Sequence, residues 1–176
     1  MYSAHIWLQL LTEVMWWNDE QRAPLDEVNY AIKEFYNEKA NGMRPKNDVV
    51  RAIVASASKL DSLGLDRESG YETVPRSAER WSNLLDEVLE AVKESRVRYD
   101  PNFVDSVVMA YNSLGNSNAC VEYILDVMEV DRTRLRKSTL LNAKKAAEEE
   151  EAYGLLHDIE MMLSQGSMPQ DVGVEE

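Results

Sequence analysis

Apolar residues recur along this chain at intervals of three and four, the spacing that lines one face of an α-helix. Leu25, Val28, Ile32, Phe35 and Tyr36 make one stripe. Val49, Val50, Ile53, Val54, Ala57 and Leu60 make the next, and Trp81, Leu84, Leu85, Val88, Leu89 and Val92 a third. Phe103, Val104, Val107, Val108 and Tyr111 follow, then Val121, Ile124, Leu125 and Met128. Leu140 and Leu141 mark another helix, and Ala152, Leu155, Leu156, Ile159 and Met162 close the series.

Polar breaks separate the stripes. Pro24 stands where a helix can start, with Asp26 and Glu27 in a first turn that favours anions. Gly42 and Pro45 stop that helix. Residues 64–77 are polar, carry Gly70 and Pro75, and read as an inserted loop. Asp100 and Pro101 break the chain again, and Asn102 can cap the next helix. Gly115 sits in a short turn, and residues 131–136 form a polar, basic joint. Residues 166–176 have little to bury and read as a loose tail. The expected organisation is one helical domain over residues 1–165, followed by that tail.

An amphipathic helix cannot bury its apolar face alone, so an alternation of helix, turn, helix and joint calls for stacked pairs. The predicted class is all-α: an α-solenoid of antiparallel helical hairpins with about three to four repeats. A recurring phrase sharpens this. Asn41-Gly42-Met43-Arg44-Pro45-Lys46-Asn47, Arg96-Val97-Arg98-Tyr99-Asp100-Pro101-Asn102 and Gln165-Gly166-Ser167-Met168-Pro169-Gln170-Asp171 each follow a helical stretch. Asn102 to Asp171 spans about two lengths of a ~35-residue repeat.

These residues resemble pentatricopeptide repeats, the organellar RNA-associated helical-hairpin family. Residues 25–35 (LDEVNYAIKEF) resemble that family's second helix, and Gly42-Met43-Arg44-Pro45-Lys46-Asn47 its closing turn. Residues 150–160 (EEAYGLLHDIE), followed by Gly166 and Pro169-Gln170-Asp171, resemble the same unit again. Residues 107–115 resemble the end of a first helix and its turn. The likeness covers most of the chain, with unequal repeats. In the family each repeat reads one RNA base with a few side chains. The resemblance places the first-helix reading positions at Arg51, Asp105 and Lys137. The family uses Asn, Thr, Ser or Asp there, and only Asp105 conforms.

Charge bears on the same question. With 19 Lys and Arg against 32 Asp and Glu, the net charge is −13. That argues against a general phosphate-tracking surface and leaves room for a local one. Arg132, Arg134, Arg136, Lys137, Lys144 and Lys145 are the dense basic run, a candidate for RNA phosphate contacts. Its alternative is a solvated joint balanced by Glu148–Glu151, an acidic run suited to a helix's first turn. Trp7, Trp16 and Trp17 are candidates for a protein interface, since adjacent tryptophans on a helix point in different directions.

Catalytic and metal chemistry find no motif. Cys120 is the only cysteine and reads as a small core residue. His157 reads as a surface histidine, and no HExxH, phosphate-loop, dinucleotide or nucleophile-elbow pattern occurs. Neither a cofactor nor a small-molecule substrate is expected. No apolar run is long enough to span a bilayer, so no membrane insertion is expected. The expected function is that of a non-catalytic scaffold or adaptor bound mainly to other proteins. The resemblance implies a mitochondrial ribonucleoprotein, such as the mitoribosome or an RNA-processing complex, with RNA touched locally. Two alternatives stay open: a sequence-selective reader of single-stranded RNA, and an accessory subunit of an assembly without RNA, such as a respiratory complex.

Overall fold

The computed structural model describes residues 25–59, 75, 77–131 and 135–165, and these are helical with no strand among them. The helices are α1 (Leu25–Ala40), α2 (Asn47–Ala57), α3 (Ala78–Ala91), α4 (Pro101–Leu114), α5 (Ser117–Asp131), α6 (Lys137–Glu149) and α7 (Tyr153–Gln165), with a 3-10 turn at Arg96–Tyr99 before α4. Each predicted apolar stripe within the described residues falls on one of them.

Neighbours in sequence pack together: α1 on α2, α2 on α3, α3 on α4, α4 on α5, α5 on α6 and α6 on α7. A second set of contacts skips one helix, joining α2 to α4 and α4 to α6. These three therefore form a close inner row. The outer helices α1, α3, α5 and α7 lack comparable packing against one another.

The inner row follows from one repeated pattern. The third, fourth and seventh residues of α2 are Val49, Val50 and Ile53; of α4, Phe103, Val104 and Val107; of α6, Thr139, Leu140 and Ala143. All nine are buried. Apart from the polar Thr139, they belong to one continuous core together with Phe35, Trp81, Leu85, Ile124 and Ile159 from the outer helices. Each large apolar side chain so buried stabilises the fold by about 1.5–3 kcal/mol relative to exposure.

Helix ends show where local chemistry agrees with this packing. α1, α4 and α6 close the same way. Met43 N–H reaches back to Glu38 O, Asn116 N–H to Tyr111 O and Ala152 N–H to Ala147 O. That closure needs a left-handed residue just past the helix. Gly42 and Gly115 supply it at φ 66° and 65°, but the third position is Glu151 at φ 52°. The predicted place of the acidic run is corrected here. Glu148 and Glu149 end α6, and Glu150 and Glu151 form the turn, so the run does not open the next helix. The cap of α4 is also corrected. Asp100, not Asn102, accepts from the Asn102 and Phe103 amides, and Pro101 takes the first helical position.

The Glu38 carboxylate, almost wholly buried, accepts the Lys46 amide at 3.0 Å and pairs with the Lys46 ammonium at 2.9 Å. One side chain of α1 thus anchors the entry to α2. Residues 1–24, most of the 64–77 segment and residues 166–176 lie outside the described residues, and with them the expected loop and tail.

Left-handed backbone strains a residue with a Cβ. Glu151→Gly is expected to stabilise the protein by about 1 kcal/mol in urea unfolding. Gly115→Ala is expected to destabilise it by a similar amount, about 1 kcal/mol.

Candidate binding surfaces

Two surfaces carry most of the polar chemistry of the described residues: the leading edge of the inner row, and the clefts between the outer helices.

The leading edge gathers the first turns of α2, α4 and α6. Arg51, fifth residue of α2, pairs with Asp100 at 3.4 Å, the carboxylate that also caps α4. Asn102 accepts from the Arg136 guanidinium at 2.6 Å. Asp105, fifth residue of α4, accepts from the Ser138 hydroxyl at 3.3 Å and from the Thr139 hydroxyl at 2.9 Å. Farther along, Asn112 donates to the Asn142 carbonyl at 3.1 Å, and Ser113 to the Ser58 carbonyl at 3.1 Å. Each bond ties one inner helix, or a residue capping it, to the next along the row.

This ladder places the predicted reading positions. Arg51 and Asp105 do share a register, and both face the neighbouring inner helix. Lys137 does not share it: it is the first residue of α6, and the fifth is Leu141, an apolar residue 52% exposed. The unequal joint before α6 obscures that shift in the sequence.

Of the basic run, Arg136, Lys137, Lys144 and Lys145 lie among the described residues, and Arg136 and Lys144 point to different neighbours. Arg136 leans on Asn102, while Lys137 and Lys145 are exposed. Lys144 is turned to α7, pairing with Glu160 at 2.9 Å, with Glu148 at 3.9 Å. That hydrogen bond to Glu160 holds the Lys144 ammonium above its ordinary range and the Glu160 carboxyl below. Arg132 and Arg134 lie outside the described residues, as do Trp7, Trp16 and Trp17.

The clefts escaped sequence reading. One, of about 480 Å³, opens between α3 and α5. The Arg98 guanidinium enters it from the 3-10 turn. Its Nε and Nη2 donate to Asp126 at 3.1 and 2.9 Å, its Nη1 to the Leu89 carbonyl at 3.1 Å, and its carbon lies 5.6 Å from the Tyr123 ring centre. Tyr111 donates to Asp86 at 2.9 Å, and Tyr123 to the Arg98 carbonyl at 2.8 Å. The two rings are 6.5 Å apart. The other cleft, of about 610 Å³, opens between α3 and the turn after α1. Lys39 crosses it to Glu87 at 2.6 Å. Glu90 borders both. The one sequence signal was Arg98-Tyr99 within the recurring turn phrase; its partners Tyr123 and Asp126 lie 25 and 28 residues away.

Three buried acids are held neutral in this region. Burial pushes the Cys120 thiol up to about 12, with Glu149 adding to the shift. Burial also raises the Tyr111 and Tyr123 hydroxyls above the usual tyrosine range, Asp86 contributing at Tyr111. His157 is exposed, and among the described residues no group of three or more His, Cys, Asp or Glu is placed to hold a metal ion. No helix among the described residues is long and apolar enough to cross a membrane.

Removing Asp105 leaves the buried Thr139 hydroxyl without its acceptor. Asp105→Ala should cost about 2 kcal/mol, while adding Thr139→Val should cost less than the sum of the two single changes, a coupling read by a double-mutant cycle.

The three raised acids ionise more readily in the unfolded chain. Their stabilisation is complete below the ordinary thiol value of 9.0 and is lost as pH rises through the folded-state values. Urea midpoints should therefore fall as pH is raised above that value. Iodoacetamide should label Cys120 in urea and leave the native protein unlabelled at neutral pH.

Compared with known proteins, this chain matches no protein-family model, no curated protein and no solved structure.

Proposed function

We propose that this protein is a non-catalytic helical-repeat scaffold, an α-solenoid of the pentatricopeptide type whose main ligands are other proteins. Its setting is an organellar ribonucleoprotein, a mitochondrial ribosome or RNA-processing complex, where it touches RNA only locally. One observation carries the preference for protein over RNA. Arg51 and Asp105, which a base reader would turn toward its ligand, are bonded to the next inner helix instead.

The charge distribution supports the same reading. Lys144 is neutralised by Glu160 and Glu148. Among the described residues of the basic run, Arg136, Lys137 and Lys145 form a small cationic edge on a protein of net charge −13. Such an edge suits a few phosphates and does not suit tracking along a strand. The pairing of Lys144 also favours the second reading, an accessory subunit of an assembly without RNA.

Binding measurements separate these readings. The purified chain should bind single-stranded RNA weakly, with affinity falling steeply as salt rises and with little difference among the four homopolymers. Lys137→Glu with Lys145→Glu should remove most of that affinity, and Asp105→Asn should leave the base preference unchanged. Tight binding whose base preference follows Asp105 defeats the scaffold reading. A native complex that carries no RNA and survives nuclease intact transfers the protein to the second reading.

A further inference from the structure

We infer that the two outer clefts are the docking site for a basic segment of a partner protein, one carrying arginine or lysine side chains. This inference rests on the scaffold reading and adds the chemistry of the partner.

An acidic surface alone is only a solvated face. Three features set this one apart. The first is shape. The outer helices α1, α3 and α5 do not close on one another as the inner row does, and openings of about 480 and 610 Å³ remain on either side of α3. Both fall in the range of ligand-binding clefts, about 300–1,000 Å³. The second is continuity. Glu90 borders both, so an extended segment laid across α3 meets one cleft and then the other.

The third is the mode of recognition, which the protein already displays on its own side chain. Arg98 lies in the α3–α5 cleft against the Tyr123 ring and donates twice to Asp126. Aromatic faces and carboxylates are the two groups that hold a guanidinium best. Arg98 uses one ring and one carboxylate. The same cleft also has Asp86, Glu90 and Glu122, and the Tyr111 hydroxyl at its wall. Asp86 takes one hydrogen bond from Tyr111, and a carboxylate has room for more. In the neighbouring cleft Glu87, Glu90 and Glu94 outnumber Lys39 and Arg44.

Charge complementarity therefore selects a cationic occupant and opposes a nucleic acid, whose phosphates these carboxylates repel. A second copy of this chain is a poor occupant on the same ground, since each copy carries −13.

The test uses the full chain and a fluorescein-labelled peptide of alternating arginine and serine, followed by anisotropy at about 0.15 M salt. The wild type should bind it, and amide shifts should move in α3, α5 and the turn after α1. Glu90→Lys and Glu122→Lys replace exposed side chains and should each weaken binding about five- to tenfold. Glu150→Lys makes the same change in net charge at the far end of α6 and should weaken it less than about twofold. Equal losses in all three variants would mean attraction by net charge alone and would overturn the inference. So would an oligouridine that binds the clefts and gains affinity in the lysine variants. A variant whose thermal midpoint falls is replaced by Glu90→Gln, for which a smaller loss in the same direction is expected; no loss there also overturns the inference.

The scaffold reading fails separately. If native protein partners persist in the Glu90→Lys, Glu122→Lys double variant, the scaffold stands and the clefts are not its docking site. If the peptide binds the clefts but the native protein carries no protein partner, the clefts stand and the scaffold reading falls.

Discussion

Everything in this molecule hangs on α4. It packs on α2, α3, α5, α6 and the 3-10 turn before it. A helix so placed has almost no solvent side, and the residues of α4 reflect that. Phe103, Val104, Val107, Val108, Ala110 and Tyr111 are all buried, and the apolar positions run round more than one face. The flanking helices need less. α6 buries Leu140 and the small side chains of Thr139, Ala143, Ala146 and Ala147, which let it approach closely, and leaves Leu141 and Lys145 outside. Removing α4 would expose both neighbouring helices of the inner row at once. That is why nearest-neighbour stacking gives stability that no single helical pair possesses.

Close packing along the inner row has a polar consequence. Hydrophobic burial is non-directional and would tolerate some sliding of one helix past the next. The bonds from Ser138 and Thr139 to Asp105, from Arg136 to Asn102 and from Arg51 to Asp100 are directional and recur along the same edge. They fix the offset between helices, and they engage these side chains within the fold. Asp100 serves twice, since the carboxylate that caps α4 also receives Arg51. A polar group with two such duties is poorly placed to take on recognition as a third.

The outer helices show the opposite balance. They bury their inner faces against the row and are bridged by long side chains, Lys39 of α1 reaching Glu87 of α3 and Arg98 of the 3-10 turn reaching Asp126 of α5. Solvent therefore reaches between them, and carboxylates collect along the openings. Among the described residues, this looser layer holds the two clefts.

Helix positions were legible in the chain because they depend on short-range periodicity, and two of the three left-handed turns among the described residues announced themselves through Gly42 and Gly115. The third did not, because Glu151 carries no such signal; the chain is turned there by the packing of α6 and α7. The same limit explains Asp100. Asp and Asn both cap helices, and the choice between Asp100 and Asn102 depended on where Pro101 was drawn into α4. Residue composition and spacing by themselves determined an all-helical protein of amphipathic segments with a strong acidic excess. Only the tertiary structure decided that Leu141 rather than Lys137 shares the register of Arg51 and Asp105, that Lys144 is spent on Glu160, and that Arg98 meets Tyr123 and Asp126 in a cleft. The reason is separation along the chain. A helix is built from contacts three and four residues apart, whereas these pairs join residues 16 to 49 apart and exist only once the helices have stacked.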